Sequence, residues 1–169
     1  MLLRVRLAFC LAACSTLLSA QDVKVHWDRT AFFSNYKTYR WIEVPGSRHV
    51  HPNMVKEIVA QADGQLKARG LKLAAKDPVD LLVAYQTTVE GDIPSTAPGA
   101  PYQPGPAWNS KVSSLPKGTL ALNLYDAKSK ALVWRALIAA EVGESRPSDK
   151  SKVAKGLSKA FTQYPPMGN

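Results

Sequence analysis

Residues 118–142, GTLALNLYDAKSKALVWRALIAAEV, consist of two apolar stretches separated by a short polar segment. In each stretch large apolar residues occupy every second position (Leu120, Leu122 and Leu124 in the first; Leu132, Trp134, Ala136, Ile138, Ala140 and Val142 in the second). A period of two is typical of β-strands, and the polar residues from Asp126 to Lys130 have the composition of a turn. The stretch therefore predicts a β-hairpin of two antiparallel strands.

Three further strands are predicted before this hairpin. Residues 21–28 (QDVKVHWD) alternate apolar with polar side chains, and residues 32–44 (FFSNYKTYRWIEV) are rich in aromatic and β-branched types. Residues 79–90 (VDLLVAYQTTVE) begin with apolar side chains on both faces of the pleat. Because that pattern is typical of a strand covered on both sides, we expect this strand to lie in the interior of the sheet.

Two amphipathic helices complete the pattern. The first is predicted from Met54 to Arg69, with Asn53 as its N-cap and Gly70 in the left-handed position that commonly follows a helix. The second is predicted from Asp149 to Tyr164, where two prolines end it. Each helix has one apolar stripe (Val55, Ile58, Val59, Ala62 and Leu66; Val153, Leu157, Ala160, Phe161 and Tyr164).

The predicted order is thus β-β-α-β, a long loop, and then β-β-α. Helices with one apolar stripe bury it against a sheet, so we expect an α+β two-layer sandwich. Its sheet would be mainly antiparallel, with about five strands and both helices on one face. With 169 residues, 46% of them hydrophobic, the chain has the composition of one globular domain, which we assign to residues 21–169.

Residues 1–20 have the pattern of a secretory signal peptide. Arg4 and Arg6 precede an apolar run from Leu7 to Leu18, and Ser19 and Ala20 provide the small residues of a cleavage site. The apolar run is shorter than a stable membrane span. We therefore expect an exported protein, located in the periplasm or, if it is lipidated, on the periplasmic face of the outer membrane.

Two cleavage sites compete in this segment. LAAC, residues 11–14, has the form of a lipobox, which would make Cys14 a lipidated first residue and anchor the domain to a membrane. Cleavage after Ala20 would instead release a soluble chain that begins at Gln21, and the apolar residues after Cys14 favour this alternative. Both cysteines of the chain, Cys10 and Cys14, lie in the segment, so no disulfide or thiol nucleophile is expected beyond it.

The net charge bears on the choice of partner. The sequence has 22 basic and 13 acidic residues, and removal of residues 1–20 leaves a net charge of about +7. In an exported protein this surplus favours an anionic envelope component or an envelope protein over nucleic acid. The basic residues are dispersed, without a run of five like charges, which is also typical of an ordinary solvated surface.

A proline-rich segment is the strongest candidate for an interaction site. Residues 91–117 contain six of the twelve prolines of the chain, and no regular element is predicted there. Such a segment favours extended backbone with free hydrogen-bonding groups, and Tyr102 and Trp108 have the amphipathic side chains of interface anchors. A flexible loop without a target is the alternative interpretation.

The ordered set of segments resembles a known family. FSNYKTYRW (33–41), LKARGL (66–71), DLLVAY (80–85), the first eighteen residues of the hairpin and YPP (164–166) together resemble the bacterial family called domain of unknown function 4136. The resemblance covers essentially all of the chain after residue 20. It implies an exported envelope protein, often a lipoprotein, and it assigns no activity and no functional residues. Tyr164, where the family commonly has Phe, and the proline-rich loop depart from the family pattern.

The aromatic residues of 32–44 are interpreted as structural. On the pleat of a strand, Tyr36 would lie on one face and Tyr39 and Trp41 on the other, whereas binding of single-stranded nucleic acid requires successive aromatic residues on one open basic surface. We therefore expect these side chains to pack in the interior.

Catalytic constellations are weak throughout the sequence. His49 and His51 in a loop, with His26 in the first strand, form a conceivable metal site, but no HExxH spacing and no GxSxG motif is present. No cofactor is expected. The leading hypothesis is a non-enzymatic binding or assembly module of the bacterial cell envelope, and whether the protein is an enzyme is left open. The alternatives are a small metal-dependent hydrolase that uses the loop histidines, and a carrier of a small apolar envelope molecule.

Overall fold

A computed structural model describes residues 22–44, 50–87, 119–140 and 146–165. These ranges contain six strands, two α-helices and one 3₁₀ turn. In chain order they are β1 (Val23–Trp27), the 3₁₀ turn (Phe33–Asn35), β2 (Thr38–Trp41), α1 (Pro52–Ala68), β3 (Lys72–Leu73), β4 (Leu81–Thr87), β5 (Thr119–Asp126), β6 (Leu132–Ala139) and α2 (Pro147–Phe161).

The six strands form one mixed sheet in the order β1-β6-β5-β4-β2-β3. Strand β2 runs parallel to both β3 and β4, and the remaining pairs are antiparallel. The predicted α+β class, the hairpin and the interior position of β4 are confirmed. The sheet has six strands where about five were predicted, because β3 has only two residues, both exposed, and therefore no apolar period that would reveal it.

Both helices pack on one face of the sheet, as predicted. Their stripes meet alternate residues of the strands in one core, which includes Tyr39 of β2, Leu81 and Val83 of β4, Leu120, Leu122 and Leu124 of β5, and Trp134, Ala136 and Ile138 of β6. The helices contact each other as well as the sheet. No helix in the described ranges is long and apolar enough to cross a lipid bilayer.

The opposite face of the sheet has a smaller apolar cluster near one end. Leu82 and Ala84 of β4 are buried there with Val44, Val79, Tyr125 and Leu132. Leu132 was expected on the helix face, together with Trp134. A β-bulge between Leu124 and Tyr125 shifts the register with β6 and places Leu132 on the opposite face instead.

The two ends of α1 are set by local hydrogen bonds. His51, and not the predicted Asn53, is the N-cap, and its Nδ1 accepts a bond of 3.2 Å from the backbone N–H of Asn53. At the other end Gly70 has the predicted positive φ, +83°. The Gly70 N–H bonds to the Lys67 carbonyl and the Leu71 N–H to the Leu66 carbonyl, which is a Schellman motif that directs the chain into β3.

Helix α2 begins two residues earlier and ends three residues earlier than predicted. Tyr164 nevertheless belongs to the core, because it lies just after the helix and is buried. The predicted signal peptide (1–20), the lipidation residue Cys14 and the proline-rich segment 91–117 lie outside the described residues.

Candidate functional site

A cleft with a volume of about 320 Å³ opens at one end of the sheet. The chain between β1 and β2 forms one wall, and the start of β4 and the turn between β5 and β6 form the other. Its lining residues are Thr30, Ala31, Phe32, Asn35, Tyr36, Asp80, Asp126 and Lys128. We call this the acidic cleft.

The wall between β1 and β2 is held by one carboxylate and one buried ring. Oδ1 of Asp28 accepts hydrogen bonds from the N–H and the hydroxyl of Thr30, at 2.8 and 2.7 Å. Phe33 is buried and makes edge-to-face contacts with Tyr36 and Tyr164. Because Phe33 is fixed in the core, its neighbour Phe32 projects outward and is 68% exposed.

Asp80 joins the start of β2 to the start of β4. Its Oδ2 accepts hydrogen bonds of 2.9 Å from the N–H of Lys37 and from the N–H and hydroxyl of Thr38. The Thr38 hydroxyl in turn accepts a bond from the Asp80 N–H. The bond from the Lys37 N–H, supported by those from Thr38, lowers the pKa of Asp80 below its ordinary value, so this carboxylate is ionised at neutral pH.

Asp126 organises the turn between β5 and β6. Its Oδ1 accepts bonds from the N–H of Lys128 and from the N–H and hydroxyl of Ser129. Partial burial acts to raise the pKa of Asp126, but these hydrogen bonds outweigh it and the pKa lies below its ordinary value. The register places Asp126 opposite Leu81, next to Asp80, so two ionised carboxylates line the same cleft.

Tyr36 connects the aromatic and acidic parts of the cleft. Its hydroxyl donates to Oδ2 of Asp126 at 3.3 Å. Partial burial raises the pKa of Tyr36, and the negative charges of Asp126, Asp28 and Asp80 raise it further. The hydroxyl therefore stays protonated, and the surroundings of Tyr36 are strongly negative although the chain as a whole is basic.

Replacement of Asp80 by Asn should destabilise the protein by about 1–2 kcal/mol at pH 7, because the charge that strengthens three hydrogen bonds is lost. Since the folded-state pKa is depressed, this stabilisation exists above the unfolded pKa of 3.8 and disappears as the pH falls through the folded value. Urea denaturation at pH 7 and at pH 2.5 measures both parts. An Asp77→Asn control, which changes an exposed ion pair with Arg40, should change stability by at most about 0.5 kcal/mol, as is usual for substitutions on the surface. A deficit of Asp80→Asn that does not shrink between pH 7 and pH 2.5 would contradict this explanation.

The aromatic residues of the second strand are divided between core and cleft. Tyr39 is fully buried, and its hydroxyl donates to Oδ1 of Asp63 on α1 at 2.7 Å. The Trp41 indole N–H donates to the same oxygen at 3.0 Å, so both side chains attach α1 to the sheet. Tyr39 lies in the interior as expected, whereas Trp41 is only partly buried. Tyr36 differs from the expectation, because β2 begins at Thr38 and Tyr36 precedes it, half-buried against the core with its hydroxyl in the cleft.

The predicted loop histidines are not brought into a described metal site. His51 is exposed and its Nδ1 caps α1, whereas His49 lies outside the described residues. His26 is in β1, opposite Arg135 of β6. Within the ranges that the structure describes, no three His, Cys, Asp or Glu side chains are grouped as metal ligands. The other predicted interaction residues, Tyr102 and Trp108, also lie outside these ranges.

The acidic cleft was missed in the sequence because its residues are far apart in the chain. Tyr36 and Asp126 are separated by 90 positions, and Thr38 and Asp80 by 42. The available signal was that Asp80 precedes one strand and Asp126 ends another. The two positions can be related only when β4 and β5 are known to be antiparallel neighbours. This pairing brings both carboxylates to the same end of the sheet.

These observations define the protein as an α+β domain with two helices on a six-stranded sheet and an acidic cleft at one end. The chain belongs to the family described as Domain of unknown function (DUF4136), whose model matches residues 23–166. This confirms the resemblance seen in the sequence. No curated protein matches the chain.

Two solved structures are similar to it in fold. A DUF4136 family protein from Bacteroides thetaiotaomicron has a TM-score of 0.58 at 16% identity, with 86% of this chain and 96% of that chain covered. A PDZ domain protein from Parabacteroides distasonis has a TM-score of 0.55 at 16% identity, with 87% of this chain and 36% of that chain covered. At these identities the likeness extends to the fold alone.

Proposed function

We propose that this protein is a non-enzymatic binding or assembly module of the bacterial cell envelope, and that the acidic cleft receives a segment of an envelope protein. The observation that carries the proposal is the combination of an exposed Phe32 ring with the ionised carboxylates of Asp80 and Asp126 in one cleft. An exposed aromatic side chain beside fixed acceptors is the arrangement of an interface anchor.

The chemistry of the cleft favours recognition over catalysis. A general acid needs a raised carboxyl pKa and an efficient general base needs a pKa near the working pH. Asp80 and Asp126 have lowered pKa values, and both are held by backbone and hydroxyl donors. Fixed carboxylates of this kind accept hydrogen bonds from a partner without exchanging protons.

The same groups indicate the chemistry of the partner. Asp80 and Asp126 outnumber Lys128 in the lining, and Asp28 lies nearby, so the cleft is negative on balance. A partner segment with a Lys or Arg side chain fits it, and an adjacent apolar side chain would cover Phe32. A charge-assisted hydrogen bond to a fixed carboxylate is about twice as strong as a neutral one. The partner would therefore offer one basic and one apolar side chain close together.

We propose the proline-rich segment as a second contact site. It connects the end of β4, at Thr87, with the start of β5, at Thr119, whereas Asp80 and Asp126 lie at the other ends of these strands. Strands of this length span about 20 Å. Contacts through Tyr102 and Trp108 would thus be attached to the sheet at the end remote from the cleft.

The proposed location depends on residues 1–20. Arg4, Arg6 and the apolar run support export, and cleavage after Ala20 would give a periplasmic protein, whereas acylation at Cys14 would place it on the periplasmic face of the outer membrane. The mass of the N-terminal peptide of the native protein distinguishes a chain that begins at Gln21 from one that begins at lipidated Cys14.

A photoreactive amino acid at Asn35, an exposed residue of the cleft wall, tests the proposal in the native bacterium. We expect a protein adduct that becomes several-fold weaker with Phe32→Ser and is unchanged with Leu73→Ser. Leu73 is a suitable control because it is the other exposed large hydrophobic residue of the described ranges, 49% exposed, on β3. An adduct of low mass would mean that the cleft binds a small envelope component and not a protein. An adduct whose yield is unchanged by Phe32→Ser would contradict binding of the partner in the acidic cleft.

A further inference from the structure

Arg135 of β6 is the most unusual charged residue in the described part of the chain. Its neighbours Trp134 and Ala136 face the helices, so Arg135 points to the opposite face of the sheet. The side chain has no exposed surface. A guanidinium remains charged in proteins, and a buried charge without a counter-charge is one of the least favourable arrangements in a folded chain.

Within the described part of the chain, only one of the three guanidinium nitrogens is paired. Nε donates to Oδ1 of Asn123 on β5 at 2.7 Å, and the Asn123 amide donates to Oε1 of Gln86 on β4 at 2.7 Å. This network fixes the guanidinium plane. Among the described residues Nη1 and Nη2 have no hydrogen-bond partner, and neither has the buried hydroxyl of Tyr125.

The surroundings of Arg135 are positive or neutral. His26 is its cross-strand partner on β1, and Lys24 lies on the same face of that strand. Burial, followed by the charges of Arg135 and Lys24, lowers the pKa of His26, so the imidazole is neutral at pH 7. Burial lowers the pKa of Arg135, and the Tyr125 hydroxyl opposes this shift because it lies near the guanidinium, although the two groups do not reach the geometry of an ordinary hydrogen bond. No described carboxylate compensates the charge.

We propose that Arg135 and Tyr125 form a buried site for a carboxylate on the sheet face opposite the helices. Because Nε is used by Asn123, the free edge of the guanidinium is the Nη1–Nη2 pair, which matches the two oxygens of a carboxylate in a bidentate arrangement. The Tyr125 hydroxyl supplies a further donor. This site is independent of the acidic cleft, which has the opposite charge and lies on other residues.

Thermal unfolding of the purified protein tests the site with acetate as the probe. Acetate is exchanged for chloride at constant ionic strength and pH 7. A ligand that binds only the folded state raises the unfolding temperature in a saturable manner. We expect such a rise in the parent protein and in Arg40→Gln, which lacks an exposed, ion-paired arginine, and no rise in Arg135→Gln.

A second variant and a second readout keep the test decisive if Arg135→Gln does not fold. Tyr125→Phe removes one hydroxyl and should weaken the acetate response several-fold. In NMR titrations acetate should raise the pKa of His26, because the bound carboxylate neutralises the charge that depresses it, and should leave His51, at the start of α1, unchanged. Equal responses of the parent and Tyr125→Phe, or an unchanged His26 at saturating acetate, would overturn the proposal.

Discussion

Replacement of Trp134 by alanine is expected to lower the free energy of unfolding by about 3–5 kcal/mol, as is typical of large aromatic residues truncated in a core. Trp134 has no exposed surface. Its ring is stacked on Phe161 with centroids 5.2 Å apart and makes an edge-to-face contact with Tyr164 at 5.7 Å. It therefore joins β6 to the end of α2, and its loss leaves a cavity between the two layers.

Urea denaturation followed by far-UV circular dichroism measures this effect. Because domains of this size are typically stable by about 5–15 kcal/mol, the variant should remain folded in water but unfold at a much lower urea concentration. Trp27→Ala is the matched control, since Trp27 is only partly buried on the edge strand β1 and should cost less. A loss below about 1 kcal/mol for Trp134→Ala would mean that β6 and α2 are not packed as described.

The second large effect is expected at Arg69, which joins the ends of the two helices. From the C-cap of α1 its guanidinium donates to the carbonyl of Tyr164 at 2.8 Å and to the carbonyl of Phe161. It also bonds to Gln65 of its own helix and lies over the Phe161 ring, 5.2 Å from the centroid. The Tyr164 carbonyl lies beyond the end of α2, where no following helical N–H is available, whereas the Phe161 carbonyl also accepts a bond from the Tyr164 N–H.

Arg69→Met should therefore destabilise the protein by about 2–4 kcal/mol, because charged hydrogen bonds are lost and the Tyr164 carbonyl is left without its donor. Arg69→Lys should recover only part of this, since an ammonium cannot reproduce the planar set of donors. Lys67→Met, an exposed substitution in the last turn of the same helix, should change stability by at most about 0.5 kcal/mol. Similar midpoints for Arg69→Met and Lys67→Met in chemical denaturation would contradict this role.

Local patterns in the sequence were sufficient to predict most of the elements. The alternation around Trp134 and Leu122 predicted the hairpin, and the doubly apolar start of β4 predicted its interior position. The stop at Gly70 was predicted from the residue type alone, because only glycine adopts a positive φ there without strain. In each case the information lies within a few adjacent residues.

The features that were not predicted depend on pairings between distant residues. β3 consists of two exposed residues. It forms because the Lys72 N–H donates to the Lys37 carbonyl and the Ala74 N–H donates to the Tyr39 carbonyl. The parallel pairing of β2 with β4 and the bulge at Tyr125 likewise have no local signature. The acidic cleft and the Arg135 site follow from the strand order, which the apolar pattern did not contain.

The proposed binding role requires that the cleft beside Phe32 is occupied in the cell. Both cysteines lie in residues 1–20, so a cysteine introduced at Asn35 or at Leu73 is the one thiol of a chain from which that segment is cleaved as proposed. The most direct measurement compares the rates of maleimide labelling at each position in intact native envelopes and in the purified protein. We predict labelling at Asn35→Cys that is several-fold slower in the envelope, with unchanged labelling at Leu73→Cys. Equal rates at Asn35→Cys in both preparations would contradict a binding role for the cleft.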